Sequence, residues 1–173
     1  MGVQAISPNK VEPHLKDYEA SIGQFKWEEI LEELDGLPNG KLNIAYEAID
    51  RHFENGKGSK SAIRWLGKHE RNKEFTYDQL KKETNKFANV IHELGLGKGD
   101  KVFSLLNRVP ELYFTVFGTL KNASVFCPLY SAFGPTPVWQ RMSKGEGKVL
   151  VTTEKLYNKK VKEVEGDLPD LQY

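Results

Sequence analysis

Apolar residues recur at three- and four-residue spacing between residues 13 and 35, which predicts helices in this stretch. Two stripes carry the pattern: Leu15, Tyr18 and Ile22, then Trp27, Ile30, Leu31 and Leu34. The sequence GLPNG at residues 36–40 is a strong stop signal. The polar, unpatterned residues 1–12 predict a mobile lead-in.

Asn43 is placed to cap a further helix with Ile44, Ala48 and Ile49 on one face, ending in the run NGKGSK at residues 55–60. Alternation around Ile63 and Trp65, followed by a polar turn and EFTY at residues 74–77, predicts a β-hairpin. The next segment begins with a capping box and predicts a long helix that ends in left-handed conformation. Its residues are Thr76 and Gln79 in the box, Tyr77, Leu80, Thr84, Phe87, Ile91 and Leu94 on the apolar face, and Gly95 at the end.

Three short apolar runs lie at residues 101–106, 124–129 and 148–152, separated by two helix-length segments that begin at prolines. Pro110 opens the first helix, and Pro135 or Pro137 opens the second. This order predicts a βαβαβ unit of parallel strands buried on both faces. The fold class is therefore α/β, with N-terminal helices, a β-hairpin and then the parallel sheet.

Composition limits the possible partners of the chain. A net charge of +1 over 173 residues argues against a surface for nucleic acid or anionic membrane. No apolar run approaches the roughly 20 residues that cross a bilayer, and the first residues do not resemble a secretory signal. Cys127 is the only cysteine and excludes an intrachain disulfide. We therefore expect a cytoplasmic protein.

Motifs for catalysis are absent from the sequence. It contains no phosphate loop of the GxxxxGK[ST] or GxGxxG type and no GxSxG nucleophile elbow. The four histidines are scattered, so we predict no metal site. GLGKGD at residues 95–100 is interpreted as a helix stop followed by a turn. The loop that follows the second apolar run, YSAFGP at residues 130–135, lies where ligands of parallel sheets gather, although plain turn chemistry also explains its residues.

Five segments resemble the AMP-forming acetyl-CoA synthetases of the adenylate-forming superfamily, in the family's order. They are LNIAYEAIDRH (42–52), EFTYDQL (74–80), GLGKGDKVF (95–103), PELYF (110–114) and PLYSAFGP (128–135), and KVLVTTEKL (148–156) continues the match. The resemblance implies that residues 1–40 form an N-terminal helical extension. Residues 41–173 would be the first, incomplete part of the AMP-binding large domain.

Such enzymes make acetyl-CoA from acetate, ATP and CoA through an acetyl-adenylate, with Mg²⁺ present. The resemblance implies the same for the parent protein of this sequence. The family's ATP-binding loop, hinge and C-terminal domain have no counterpart in the 173 residues. We therefore expect this stretch alone to be inactive, to contain no catalytic residue and to bind no cofactor tightly.

The resemblance carries over one partial site. An aromatic–Gly–Gly–Phe loop that borders the family's CoA channel aligns with Tyr130, Ser131, Ala132 and Phe133, in which Ser and Ala replace the two glycines. A basic pair near the CoA phosphates corresponds loosely to Lys159 and Lys160, although a solvated lysine pair also explains these residues. Arg141 matches a family arginine, with either a salt bridge or a ligand as its partner.

Other functions remain open at this stage. The chain can be a non-enzymatic binding or regulatory module with the same fold, or part of another short- or medium-chain acyl-CoA synthetase. An unrelated dinucleotide-binding domain is the third alternative, and the missing glycine fingerprint counts against it. If later strands are missing from the sheet, its open edge predicts self-association.

Overall fold

The computed structural model describes residues 15–173, which fall into two units that divide between Asp35 and Gly36. The predicted lead-in at residues 1–12 lies outside the described residues, as do residues 13 and 14. The first unit contains α1 (Tyr18–Ile22) and α2 (Trp27–Glu32). Asp17 caps α1 by accepting a hydrogen bond from the Ala20 amide at 3.0 Å. Most residues of the predicted apolar stripes are exposed in this unit, and Trp27 is 73% exposed, whereas Ile30 and Leu34 are half-buried.

The second unit begins with a helical segment at residues 44–57, which contains π-helical turns at Tyr46–Asp50 and Phe53–Lys57. Asn43 caps it as predicted, because its side-chain oxygen accepts hydrogen bonds from the Ala45 and Tyr46 amides at 2.9 and 3.2 Å. The predicted apolar face is partly wrong. Ile49 is buried, but Ala45 takes the place predicted for Ile44, which is 69% exposed in the first turn.

The predicted hairpin and long helix are confirmed. Strands β1 (Ser61–Trp65) and β2 (Lys73–Thr76) pair antiparallel, and α3 (Tyr77–Glu93) follows. Thr76 and Gln79 form both hydrogen bonds of the capping box. After the helix, Gly95 has φ +83°, and the amide of Leu96 donates to the carbonyl of Ile91 at 3.0 Å. This is the left-handed helix end that the glycine predicts.

The predicted βαβαβ unit is also confirmed. Strands β3 (Lys101–Leu105), β4 (Val125–Leu129) and β5 (Val149–Thr152) form a parallel sheet in the order β4-β3-β5. Helix α4 (Pro110–Lys121) connects β3 to β4, and α5 (Pro135–Lys144) connects β4 to β5. The central strand β3 is buried along most of its length, and the main core cluster lies on one side of it. This cluster consists of Phe103, Leu105, Leu129, Val138, Met142, Leu156, Val161 and Leu168.

Strand β4 is less buried than the sequence predicts. Val125 is 45% exposed and Pro128 is exposed, because β4 pairs with β3 on one side and with no other strand of the described residues. The Val125 amide donates to Asp100 on the β3 side at 2.8 Å. Backbone amides point to alternate sides along a strand, so the backbone nitrogen of Pro128, which carries no hydrogen, faces away from β3. Proline therefore interrupts no hydrogen bond between β3 and β4.

After α6 (Glu154–Lys160), the chain returns to the outer edge of β5. The Tyr173 amide donates to the Lys148 carbonyl at 3.2 Å, and the Leu150 amide donates to the Tyr173 carbonyl at 2.9 Å. These two hydrogen bonds lie on either side of Val149, which is the pattern of a parallel β-pair between Tyr173 and Val149. Residues 172–173 thus run alongside β5.

Two contacts attach the second unit's helices to each other. Helix α4 crosses α3 closely at Gly118. A Cβ added there would lie 2.8 Å from the Thr84 carbonyl oxygen and 2.8 Å from Phe87 Cδ1. At the end of α4, the ammonium of Lys121 lies 2.7 Å from a carboxylate oxygen of Asp50, in the helical segment 44–57. Burial lowers the pKa of Lys121, and its hydrogen bond to Asp50 opposes this shift.

Asp100 closes the turn that precedes β3. One carboxylate oxygen lies 2.6 Å from the Lys148 ammonium, and the other accepts from the Gly97 amide at 2.8 Å. Both hydrogen bonds lower the pKa of Asp100, with that from Lys148 the larger cause. The turn at residues 95–100 is therefore structural, as the sequence indicates.

We expect acid to weaken this turn. Because the pKa of Asp100 is lowered by folding, its stabilising effect is present above 3.8, its ordinary value, and is lost as pH falls through the folded value. Asp100→Asn keeps an acceptor for Gly97 but removes the charge, so it should lower the free energy of unfolding at pH 7 by less than about 1 kcal/mol. Melting between pH 2 and 7 would measure this, and an equal stability loss in the variant at every pH would contradict it.

Candidate functional site

An open cleft of about 390 Å³ lies at the carboxyl ends of β3 and β4. One wall is the loop between β3 and α4, and the other is the end of β4 with the loop that follows it. The cleft is lined by Leu106, Asn107, Arg108, Leu112, Pro128, Leu129, Tyr130 and Ser131. This is the edge at which parallel α/β sheets bind ligands. The structure thus has a cleft beside the loop YSAFGP, and the role of this loop stays a prediction.

The loop after β4 is a tight turn held by its own residues. The Phe133 amide donates to the Tyr130 carbonyl at 2.9 Å, and the two rings meet edge to face with centroids 5.8 Å apart. Gly134 then provides the extended backbone from which α5 begins at Pro135. Tyr130 is 67% exposed and Ala132 is also exposed. The turn thus offers an aromatic face and a small side chain to solvent beside the cleft.

Arg141 supports the loop from α5. Its guanidinium carbon lies 4.2 Å from the centre of the Phe133 ring, which is a cation–π contact. Its Nη1 donates to the Pro137 carbonyl at 3.2 Å. Arg141 forms no ion pair within residues 15–173. Within the described residues, the guanidinium therefore contacts an aromatic ring of the loop and not a carboxylate.

The lysine pair divides into two different environments. Lys160 is half-buried, and its ammonium donates a hydrogen bond to the Ser131 carbonyl. Lys159 is exposed, and within residues 15–173 it makes no hydrogen bond or ion pair. The structure thus brings Lys160 into contact with the predicted loop and leaves Lys159 on the adjacent surface. All six residues predicted from the resemblance lie in this region.

The opposite wall was missed by sequence reasoning. Asn107 and Arg108 follow the buried strand β3 directly and line the cleft. The Arg108 carbonyl accepts a hydrogen bond from the Trp65 indole at 2.8 Å, which ties this wall to the hairpin strand β1. The available signal was position, because polar residues between a buried strand and a proline-initiated helix lie at the same sheet edge as YSAFGP.

The chemistry of the cleft is that of binding. Leucines 106, 112 and 129 provide an apolar floor, and Arg108 adds a cation beside it. Such a lining suits a slender, mostly apolar ligand with an anionic group. The described residues contain no cluster of three or more His, Cys, Asp or Glu side chains that could hold a metal ion. They also contain no helix that is long and apolar enough to span a membrane.

Comparison with known proteins decides the family. Residues 50–172 match the family described as AMP-binding enzyme. The chain belongs to this family. Acetyl-coenzyme A synthetase of Bacillus subtilis (strain 168) is 37% identical over 157 residues, which are 90% of this chain and 27% of that protein. The 3-hydroxypropionyl-coenzyme A synthetase of Sulfurisphaera tokodaii is 30% identical, over 77% of this chain and 21% of its own length.

Two solved structures share the fold. The crystal structure of Brucella canis acyl-CoA synthetase matches with a TM-score of 0.76 and 26% identity, over 89% of this chain and 27% of that one. The anthranilate CoA ligase AuaEII matches with a TM-score of 0.67 at 20% identity, which supports the fold alone. The resemblance to adenylate-forming acetyl-CoA synthetases is confirmed. This chain spans about a quarter of the length of these relatives.

Proposed function

We propose that this chain forms the CoA-facing wall of an AMP-forming acyl-CoA synthetase whose acid substrate is acetate. The observation that carries the proposal is the cleft at the ends of β3 and β4, bordered by Tyr130, Ser131, Ala132 and Phe133, in a member of the AMP-binding enzyme family. Relatives named acetyl-coenzyme A synthetase support acetate. The relative that acts on 3-hydroxypropionate makes a slightly larger acid the second candidate.

The proposed reaction has two steps. The carboxylate attacks the α-phosphate of ATP and releases pyrophosphate, and the CoA thiolate then displaces AMP from the acyl-adenylate. In the second step the loop would shape the approach of the pantetheine arm, since Ala132 leaves space and Tyr130 offers an aromatic face. Lys159 would lie near the CoA phosphates. We assign no Mg²⁺ ligand, because the described residues contain no suitable acidic cluster.

The ATP-binding and catalytic residues would lie in other parts of a longer polypeptide. We propose that these 173 residues alone are inactive and that the protein acts in the cytoplasm. The direct test is acetate-dependent exchange between ATP and pyrophosphate, measured in the full polypeptide and in the 173-residue chain. Exchange with 3-hydroxypropionate or octanoate but not acetate would change the substrate. No exchange with any acid would favour a binding module.

A bulky side chain in the loop should impair the second step, which uses CoA, and leave the first step, which forms the acyl-adenylate, unchanged. Because Ala132 is exposed, Ala132→Trp should fold normally but obstruct the approach of CoA. We expect the KM for CoA to rise about tenfold or more, the scale of one poorly fitting group, while acetate-dependent ATP–pyrophosphate exchange stays unchanged. Ala20→Trp, also exposed but in α1, is the control for added bulk. An unchanged KM in Ala132→Trp would remove the loop from the CoA site.

A further inference from the structure

The carbonyl of Ser131 lies in the middle of the turn that borders the cleft. It accepts a hydrogen bond from the ammonium of Lys160, a residue 29 positions later in the sequence. A lysine ammonium is a charged donor, and a hydrogen bond from a charged group is stronger than one between neutral partners. Lys160 is therefore a long-range attachment for a loop that is otherwise held by local contacts.

The other end of this attachment is fixed in the core. Lys160 is the last residue of α6, and the next residue, Val161, is 1% exposed in the main core cluster. Leu156 of the same helix is buried in that cluster, together with Leu129 at the end of β4. The helix and the strand before the loop therefore share one packed core. An ammonium carried by this helix holds the Ser131 carbonyl relative to the floor of the cleft.

Arg141 and Lys160 act on different parts of the same turn. The guanidinium covers the ring of Phe133, whereas the ammonium binds the backbone of Ser131. Lys159 contacts neither, and its exposed ammonium remains available to an anion. Two adjacent lysines thus have different geometries, one directed at the protein backbone and one at solvent.

We propose that Lys160 is a positioning residue that sets the shape of the turn at residues 130–134. Lys159 keeps the place near the CoA phosphates that is proposed above. The proposal rests on the CoA-binding function proposed above. It changes the role that the resemblance implied for Lys160, from ligand to support. Its consequence is that Lys160 affects the whole bound CoA molecule through the loop, including the pantetheine arm, which carries no phosphate.

The first measurement is independent of CoA. Hydrogen exchange of the backbone amides at residues 131–134 is compared in the full polypeptide for the wild type, Lys160→Met, Lys160→Arg and Lys159→Met. Loss of one charge-assisted hydrogen bond should speed loop exchange about tenfold in Lys160→Met. Lys160→Arg, which keeps a charged donor, should restore much of the protection, and Lys159→Met should match the wild type. Equal exchange in Lys160→Met and the wild type overturns the proposal.

The second measurement compares two ligands, CoA and pantetheine. If Lys160 acts through the loop, Lys160→Met weakens the binding of both by the same factor, about three- to tenfold. If Lys159 contacts phosphate, Lys159→Met weakens CoA and leaves pantetheine unchanged, and added salt reduces the difference. Loss of CoA binding alone in Lys160→Met would show a phosphate contact and overturn the positioning role.

The two proposals can fail separately. If the wild-type polypeptide binds neither CoA nor pantetheine, the proposed function is wrong, whatever the exchange data show. If the wild type binds both and Lys160→Met changes neither loop exchange nor affinity, only the positioning role is wrong. Faster exchange together with equal loss of both ligands supports both proposals.

Discussion

Gly118→Val should lower the free energy of unfolding by about 3 kcal/mol, because overpacking at this crossing leaves no room to adapt. A Cβ at this position would meet the Thr84 carbonyl oxygen at 2.8 Å, and a backbone atom cannot move aside without shifting α3. The Phe87 ring and its Cβ approach equally closely. Even Gly118→Ala should destabilise, although alanine favours a helix over glycine by about 1 kcal/mol.

Urea unfolding followed by circular dichroism measures this effect. The control is Gly166→Val, because an added Cβ at Gly166 meets no atom within 4 Å. We expect the control to change the free energy of unfolding by less than about 1 kcal/mol, as for surface substitutions. Similar losses in the two variants would mean that the approach of α4 to α3 is looser than the structure has it.

Lys121→Met should lower the free energy of unfolding by about 2 kcal/mol, since removing one partner of a buried pair leaves the other charge uncompensated. Both side chains are only 12% exposed. The effect stays below the upper range for such pairs because the Lys81 ammonium remains 3.6 Å from Asp50. Combining Lys121→Met with Asp50→Asn should recover part of the loss, as a double-mutant cycle would measure.

Two controls sharpen this prediction. Lys82→Met removes an exposed ion pair with Asp78 and should lower the free energy of unfolding by less than about 0.5 kcal/mol.

The second control is the stability measured at alkaline pH. Because folding lowers the pKa of Lys121, the unfolded chain binds more protons just below 10.5, its ordinary value, and this group makes stability rise with pH there. The same rise in Lys121→Met would show that another group causes it.

The features that the sequence predicts well depend on residues close together in the chain. The capping box at Thr76 and the left-handed Gly95 are each determined within a few positions, so local chemistry is sufficient. The alternation of apolar runs with proline-initiated helices likewise predicts the parallel sheet, because strands of this kind need helical connections. Its ligand edge follows from the same topology, and the cleft lies there.

The features that the sequence does not predict depend on tertiary neighbours. The exposure of Val125 depends on which strands lie beside β4, and apolar composition alone cannot show that one side is open. The division between Lys159 and Lys160 depends on a contact with Ser131 that spans 29 residues. The burial of Ala45 in place of Ile44 likewise depends on which side of the first turn packs against the rest of the unit.

Pro128 has a consequence for the time during which the protein is being made. When β4 leaves the ribosome, its outer side pairs with no strand of the described residues and is accessible to other nascent chains. The β4 residues whose backbone faces away from β3 are Phe126 and Pro128, and only Phe126 has an N–H to donate. A foreign strand would gain a single amide donor from β4 itself. The missing donor at Pro128 thus limits premature pairing at this edge, and we expect self-association through β4 to be weak.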